Sequence, residues 1–301
     1  MATEETLPAR VSEPPSARRR KPPLSGHPDD EARPQPKVGG WHWTEWGCEY
    51  AGTLFQLFLG FSVVALLEAP GSPLHSAVPS AAARLALIGV AFGVLAAIVA
   101  LSPLGRRSGA HLNPAVTLGF WATGHTHRDD VLGYIVAQVL GALTAAAAFD
   151  AAWGGWAAGV NSARTVPEHG LPIWGAIGIE AALTFGLLSV VFAMVSSPRT
   201  ARLTPVVVIG VLTGLIWAGA AHTGASMNPA RTIGPDIAAD SFGWWWVYFI
   251  GPPTGALLAA GAFELFTRER HTLTAKLFHD PRYPTTQRSS LPAKPHRGNR
   301  R

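Results

Sequence analysis

Two short polar phrases interrupt a mostly apolar chain. "SGAHLNPAVTLGF" occupies residues 108–120 and "TGASMNPARTIGP" occupies residues 223–235. At an offset of 115, seven of their thirteen positions are identical. Each centres on Asn-Pro-Ala: Asn113, Pro114 and Ala115 in the first, Asn228, Pro229 and Ala230 in the second. Asn is a favoured helix N-cap, and Pro is favoured at the first helical position, where its missing N–H would be unpaired anyway. Each phrase therefore starts a helix. The apolar runs that follow, 113–121 and 228–238, are too short to cross a bilayer, which takes about 20 residues. The expected elements are half-helices, each with roughly half a positive charge at its start.

If both starts meet at one point, a cation there is repelled. The amides of Asn113 and Asn228 can each donate to a passing oxygen. A water held by two donors cannot accept from its neighbour, which interrupts a proton wire. Such a site favours neutral, oxygen-bearing solutes over protons and metal cations. The backbone before each start, including Gly109, Ala110 and His111 and then Gly224, Ala225 and Ser226, should be extended, with carbonyls that need a watery lumen. The second phrase carries Arg231 where the first has Val116. A charge inside a membrane protein is costly and is a functional candidate by default. Arg231 can act as a cation barrier and donor pair, as a tie to the carbonyls of an external loop, or as both. His111 is expected to supply its carbonyl and a loop hydrogen bond rather than to titrate.

The surrounding chain must position these groups. Of its 301 residues, 48% are apolar and only 14% are charged, well short of the 25% or so usual in soluble domains. Six segments are long and apolar enough to span: about 47–68, 83–102, 131–152, 173–196, 204–221 and 244–266. The repeat reaches beyond the two phrases: "YIVAQVLGALTAAAAF" (134–149) aligns at an offset of 114 with "YFIGPPTGALLAAGAF" (248–263). Glu49, early in span one, matches Glu180, early in span four. Each half is three spans plus a half-helix, approximately 45–153 and 172–267. Three is odd, so the second half enters the membrane inverted. The expected fold is an all-α membrane protein: six transmembrane helices plus two re-entrant half-helices in an inverted repeat.

With both ends inside, 21 of the 24 Lys and Arg residues fall on the cytoplasmic side; Arg84, Arg164 and Arg231 are the exceptions. Residues 1–44 read as a basic, Pro-rich, disordered cytoplasmic arm and 268–301 as a basic cytoplasmic tail. No apolar stretch follows the first Met, so no cleaved signal peptide is expected. The pI near 9.8 requires no nucleic-acid partner. Cys48, the single cysteine, excludes an internal disulfide. Glu49 and Glu180 are expected to be structural carboxylates, each accepting from the backbone of its own half's re-entrant loop. The competing reading makes them proton relays in a proton- or ion-coupled secondary transporter on the same inverted scaffold. "WWWVYF" (244–249) reads as an interfacial aromatic belt. Gly89/Gly93 and Gly210/Gly214 offer close helix packing. Asp236 fits no expectation.

These residues resemble the aquaporin, or major intrinsic protein, family. The likeness rests on "EYAGTLFQLFLGF", "SGAHLNPAVTLGF", "YIVAQVLGA", the Glu180 span, "SMNPARTIGP" and "WVYFIGPPTGA", over about residues 45–267. It implies a right-handed bundle, a homotetramer with one pore per subunit, and no cofactor or enzymatic reaction. It also implies an outer constriction at Ile216, Ala225, Arg231 and Phe92. Gly93 competes for the last position, since "SPLGRR" is one residue longer than usual. The family's strict water channels usually place His where Ile216 stands, so this filter should be wider and more apolar. Glycerol channels usually have Asp after the second-motif Arg, where Thr232 stands. "GASMNPARTIGP" is most similar to the nodulin-like plant branch, which implies glycerol or boric-acid-like solutes beside water. No organelle signal is evident, so the expected setting is a plasma membrane or bacterial inner membrane.

Overall fold

A computed structural model describes residues 41–126 and 128–266. The N-terminal arm up to residue 40 and the C-terminal tail lie outside the described residues. All regular structure described is helical, in the order α1 (Trp43–Glu68), α2 (Pro73–Ala77), α3 (Ala81–Leu101), α4 (Pro103–Ser108), α5 (Pro114–Ala122), α6 (Arg128–Trp153), α7 (Gly155–Gly159), α8 (Ile173–Val195), α9 (Pro198–Ala201), α10 (Thr204–Thr223), α11 (Pro229–Ala238) and α12 (Trp245–Phe266). A 3₁₀ turn covers Asn161–Ala163.

Six of these helices, α1, α3, α6, α8, α10 and α12, are long and apolar enough to cross a membrane. Three begin earlier than apolarity alone indicates: α1 at Trp43 rather than 47, α3 at Ala81 rather than 83, and α6 at Arg128 rather than 131. Hydrophobicity marks the part that needs lipid, whereas i→i+4 hydrogen bonding continues into the interface. The expected loop "SPLGRR" instead winds into α4, because Ser102 caps it by accepting from Leu104 N and Gly105 N, with Pro103 at its first position.

The packing follows the repeat. In the first half α1 packs on α6, and in the second α8 packs on α12. Gly141 and Gly255, equivalent at an offset of 114, sit at these two contacts, where a Cβ would overlap Tyr50 O and Ala181 O. The halves meet through α3 against α10. Each half-helix then packs against the last span of the opposite half: α5 on α12, and α11 on α6. Gly89 and Gly93 do allow close packing; a Cβ there would lie 2.6 Å from Thr213 Cα and from Ile209 Cα, respectively. Gly210 and Gly214 differ from expectation, since nothing lies within 4 Å of where their Cβ atoms would be. Their face of α10, with Val206 and Trp217, is turned outward.

The bundle hides polar groups and shows apolar ones. Leu132, Val136, Leu140, Leu257 and Leu258 are exposed, while Glu49, Gln138, Glu180, Asp130 and Asp236 are buried. That distribution suits a lipid-facing surface around a hydrated interior. Within the expected belt at 244–249, Trp245 and Phe249 are exposed. Tyr248 departs from it: the side chain is fully buried and its hydroxyl donates to Thr223 O at 2.7 Å.

Candidate functional site: a lumen between two half-helices

Both half-helices start where Asn-Pro predicts. The Asn113 side-chain oxygen accepts from Ala115 N at 2.8 Å. Asn228 accepts from Ala230 N at 3.0 Å and Arg231 N at 3.3 Å. The other end of each amide crosses between the halves. Asn113 Nδ2 donates to Met227 O at 2.8 Å, and Asn228 Nδ2 donates to Leu112 O at 3.0 Å. An amide nitrogen carries two hydrogens, so each Asn keeps one for the lumen after its cross-tie. The structure thus brings Asn113 and Asn228 together at one level.

The backbone before each start is strained in matching places. Ala110 and Leu112 adopt φ of 50° and 54°, and their equivalents Ala225 and Met227 adopt 45° and 52°. Gly109 and Gly224 are also left-handed, at 99° and 77°. Left-handed residues with a Cβ cost about 1–2 kcal/mol each, so something must hold them. The buried carboxylates supply that hold. Glu49 accepts from His111 N at 3.1 Å, Leu112 N at 2.7 Å and Gln138 Nε2 at 2.8 Å. Glu180 accepts from Ser226 N at 2.9 Å, Met227 N at 2.8 Å and Thr223 Oγ1 at 2.7 Å. A second matched pair fixes the loop entrances: Tyr134 Oη donates to Ser108 O and Tyr248 Oη to Thr223 O, each at 2.7 Å. Among the described residues no donor engages the carbonyls of 109–111 or 224–226. These residues line the cavity instead.

His111 is buried, with Nδ1 3.2 Å from Thr117 Oγ1 and its ring stacked on Phe120. Its counterpart Ser226 makes the equivalent contact, 2.7 Å to Thr232 Oγ1.

A single cavity of about 350 Å³ touches both starts and both strained loops. Phe92, Ile216, Ala225 and Arg231 all line it. Gly93 does not, being packed against Ile209. The Arg231 guanidinium lies 5.4 Å over the Phe61 ring and donates to Ala163 O at 2.7 Å. That carbonyl is presented by an unusual turn, in which Asn161, Ser162 and Ala163 are all left-handed at 51°, 51° and 58°.

Several residues of the site escaped sequence reasoning. Arg164, adjacent to that turn, donates to Asp236 Oδ1 at 2.8 Å and to Ser241 O at 2.9 Å. Thr165 Oγ1 lies 2.8 Å from Thr232 Oγ1. Asp236, left without an account by its sequence, thus pins the turn to α11. Arg84, a second exception to the charge bias, is paired too, with Glu68 Oε1 at 3.1 Å. The acids at Glu45 and Asp130 are buried as well, Asp130 accepting from Trp46 Nε1 at 3.0 Å and lying 2.6 Å from His42 Nδ1. The repeat did hold a signal for one missed pair: Tyr134 and Tyr248 align at the offset of 114.

Known proteins resemble this chain. Residues 41–263 match the family model described as major intrinsic protein. Aquaporin NIP6-1 of Arabidopsis thaliana is 36% identical over 221 residues, 73% of this chain and 67% of the relative. Aquaporin AqpM of Methanothermobacter thermautotrophicus is 33% identical over 237 residues, 73% of this chain and 96% of the relative. Aquaporin TIP1-1 of Zea mays is 36% identical, over 72% of this chain and 84% of the relative. The X-ray structure of the aquaglyceroporin from Plasmodium falciparum superposes with a TM-score of 0.62 at 21% identity, covering 74% of this chain and 96% of that one, which establishes the shared fold. With a matching family model over most of its length and paired Asn-Pro-Ala half-helices around one lumen, the chain belongs to the major intrinsic protein family.

Proposed function

We propose that the protein is a passive channel for water and small neutral solutes such as glycerol or boric-acid-like molecules, driven by gradients alone. The observation that carries this reading is the one cavity bounded by both Asn-Pro-Ala starts and by unengaged loop carbonyls. Carbonyl acceptors along the wall and one free N–H from each Asn replace the hydrogen bonds that a neutral solute leaves behind in bulk water. The two half-helix dipoles and Arg231 oppose cations.

Phe92, Ile216, Ala225 and Arg231 form the outer constriction in this reading. Ile216 supplies no hydrogen bond and Ala225 little bulk, so Arg231 is the main polar group there. The chain sits in a plasma or bacterial inner membrane with both termini cytoplasmic, and assembles as a homotetramer with a pore in each subunit. The coupled-transporter reading gains no support: the carboxylates it would recruit, Glu49 and Glu180, have their oxygens occupied by backbone and side-chain donors.

Stopped-flow light scattering on proteoliposomes tests the proposal. Shrinkage under an osmotic gradient should be several-fold faster than for empty liposomes and indifferent to a pH gradient. Shrinkage at the empty-liposome rate for both water and glycerol would refute the channel.

A further inference from the structure

Gly60 on α1 does not line the cavity, yet it meets the distal edge of the Phe92 ring. A Cβ built at Gly60 would lie 2.6 Å from Phe92 Cζ and 2.7 Å from Cε1. Real Cβ atoms are not found so close, so any residue larger than Gly would displace the ring. The ring cannot retreat by taking its helix along. On the same helix Gly93 and Gly89 bring the α3 backbone against Ile209 and Thr213 of α10; a Cβ at either would lie 2.6 Å from the Cα across the contact. Leu57, Ile88 and Leu212 belong with Phe92 to one buried cluster. Phe92 itself lines the lumen, so open space adjoins the ring on that side.

We propose that Gly60 is a specificity-determining positioning residue: the notch it leaves in α1 holds the Phe92 ring out of the pore and thereby sets the aperture of the constriction. The next residue, Phe61, seats the Arg231 guanidinium on its face, so α1 supports two members of the constriction from behind. This rests on the channel reading above and deepens it. The sequence of the filter positions alone does not determine the aperture, because the same Phe92 on a bulkier α1 would reach further into the lumen.

The experiment compares water, formamide, urea and glycerol permeability in proteoliposomes for the unaltered protein, Gly60→Ala, Phe92→Leu and the double variant. Gly60→Ala should lower permeability to the largest solute that the unaltered protein passes at least fivefold more than it lowers that of any smaller one. If water alone passes, water permeability itself should fall fivefold. Phe92→Leu should raise passage of the larger solutes, and in that background Gly60→Ala should change the selectivity less than twofold. Unaltered selectivity in Gly60→Ala, or the same loss with and without the Phe92 ring, would overturn the proposal. If Gly60→Ala alone fails to fold, the double variant decides: a folded double variant supports a clash with the ring, and a second failure places the clash elsewhere. Loss of water flux in the unaltered protein would instead refute the channel reading, leaving these two failures distinguishable.

Discussion

The Asn113 side-chain amide donates to the carbonyl of Met227, 2.8 Å away in space and 114 positions away in sequence. One amide therefore caps its own half-helix and ties down the strained loop of the other half. Asn113→Ala removes both contacts. A lost N-cap costs about 1 kcal/mol, and a lost buried hydrogen bond adds about the same. Thermal unfolding in detergent should show destabilisation of about 2 kcal/mol, with Asn113→Ser falling in between because it keeps a capping oxygen and lacks the amide donor. Equal stability of all three would mean the cross-tie contributes nothing.

Glu180→Gln keeps the shape of the side chain but turns one acceptor into a donor facing Ser226 N or Met227 N. A buried N–H left without an acceptor costs about 1–3 kcal/mol. The expected outcome is a destabilised protein with reduced water flux and no response to an imposed pH gradient. A variant of normal stability whose solute flux alone loses its dependence on a proton gradient would revive the relay reading.

Asp236→Asn strips the charge partner from Arg164, whose side chain is nearly buried. Breaking one side of a buried ion pair costs about 3–5 kcal/mol, with some relief here from the Ser241 carbonyl. The left-handed turn at 161–163 should loosen, and with it the Ala163 carbonyl that receives Arg231. Urea and sodium leakage should rise, though less than in Arg231→Val, where the charge itself is gone. Flux assays on the two variants side by side check this order; leakage at the unaltered level in both would remove Arg231 from the filter.

Ile216→His introduces a donor and a polar ring where the constriction is apolar. The ratio of water to glycerol permeability should rise about tenfold, since desolvated water gains a partner while the larger solute loses room. An unchanged ratio would show that Ile216 does not face the permeating solute.

The half-helices were legible because their cause is local: Asn caps and Pro starts a helix wherever they stand. The six spans were legible because lipid demands long apolar runs. Arg164 and Asp236 were not, being 72 positions apart and joined only once α11 and the turn at 161–163 are placed. The anchoring role of Tyr248 is hidden in an aromatic run that suits an interface, although its repeat partner Tyr134 makes the equivalent loop contact. The early start of α1 was hidden because Trp43, Glu45 and Trp46 carry no apolar run, although Trp46 and His42 are held by Asp130.

The crossed amide ties also bear on how the chain matures. A nascent chain carrying only the first half would present an Asn113 amide with no acceptor and a Leu112 carbonyl with no donor, on a loop already bent against its preference. Although written as two similar modules, the halves cannot reach their final form in succession. Glu49 braces the first loop from within its own half, but the crossed ties between the two starts need both halves present.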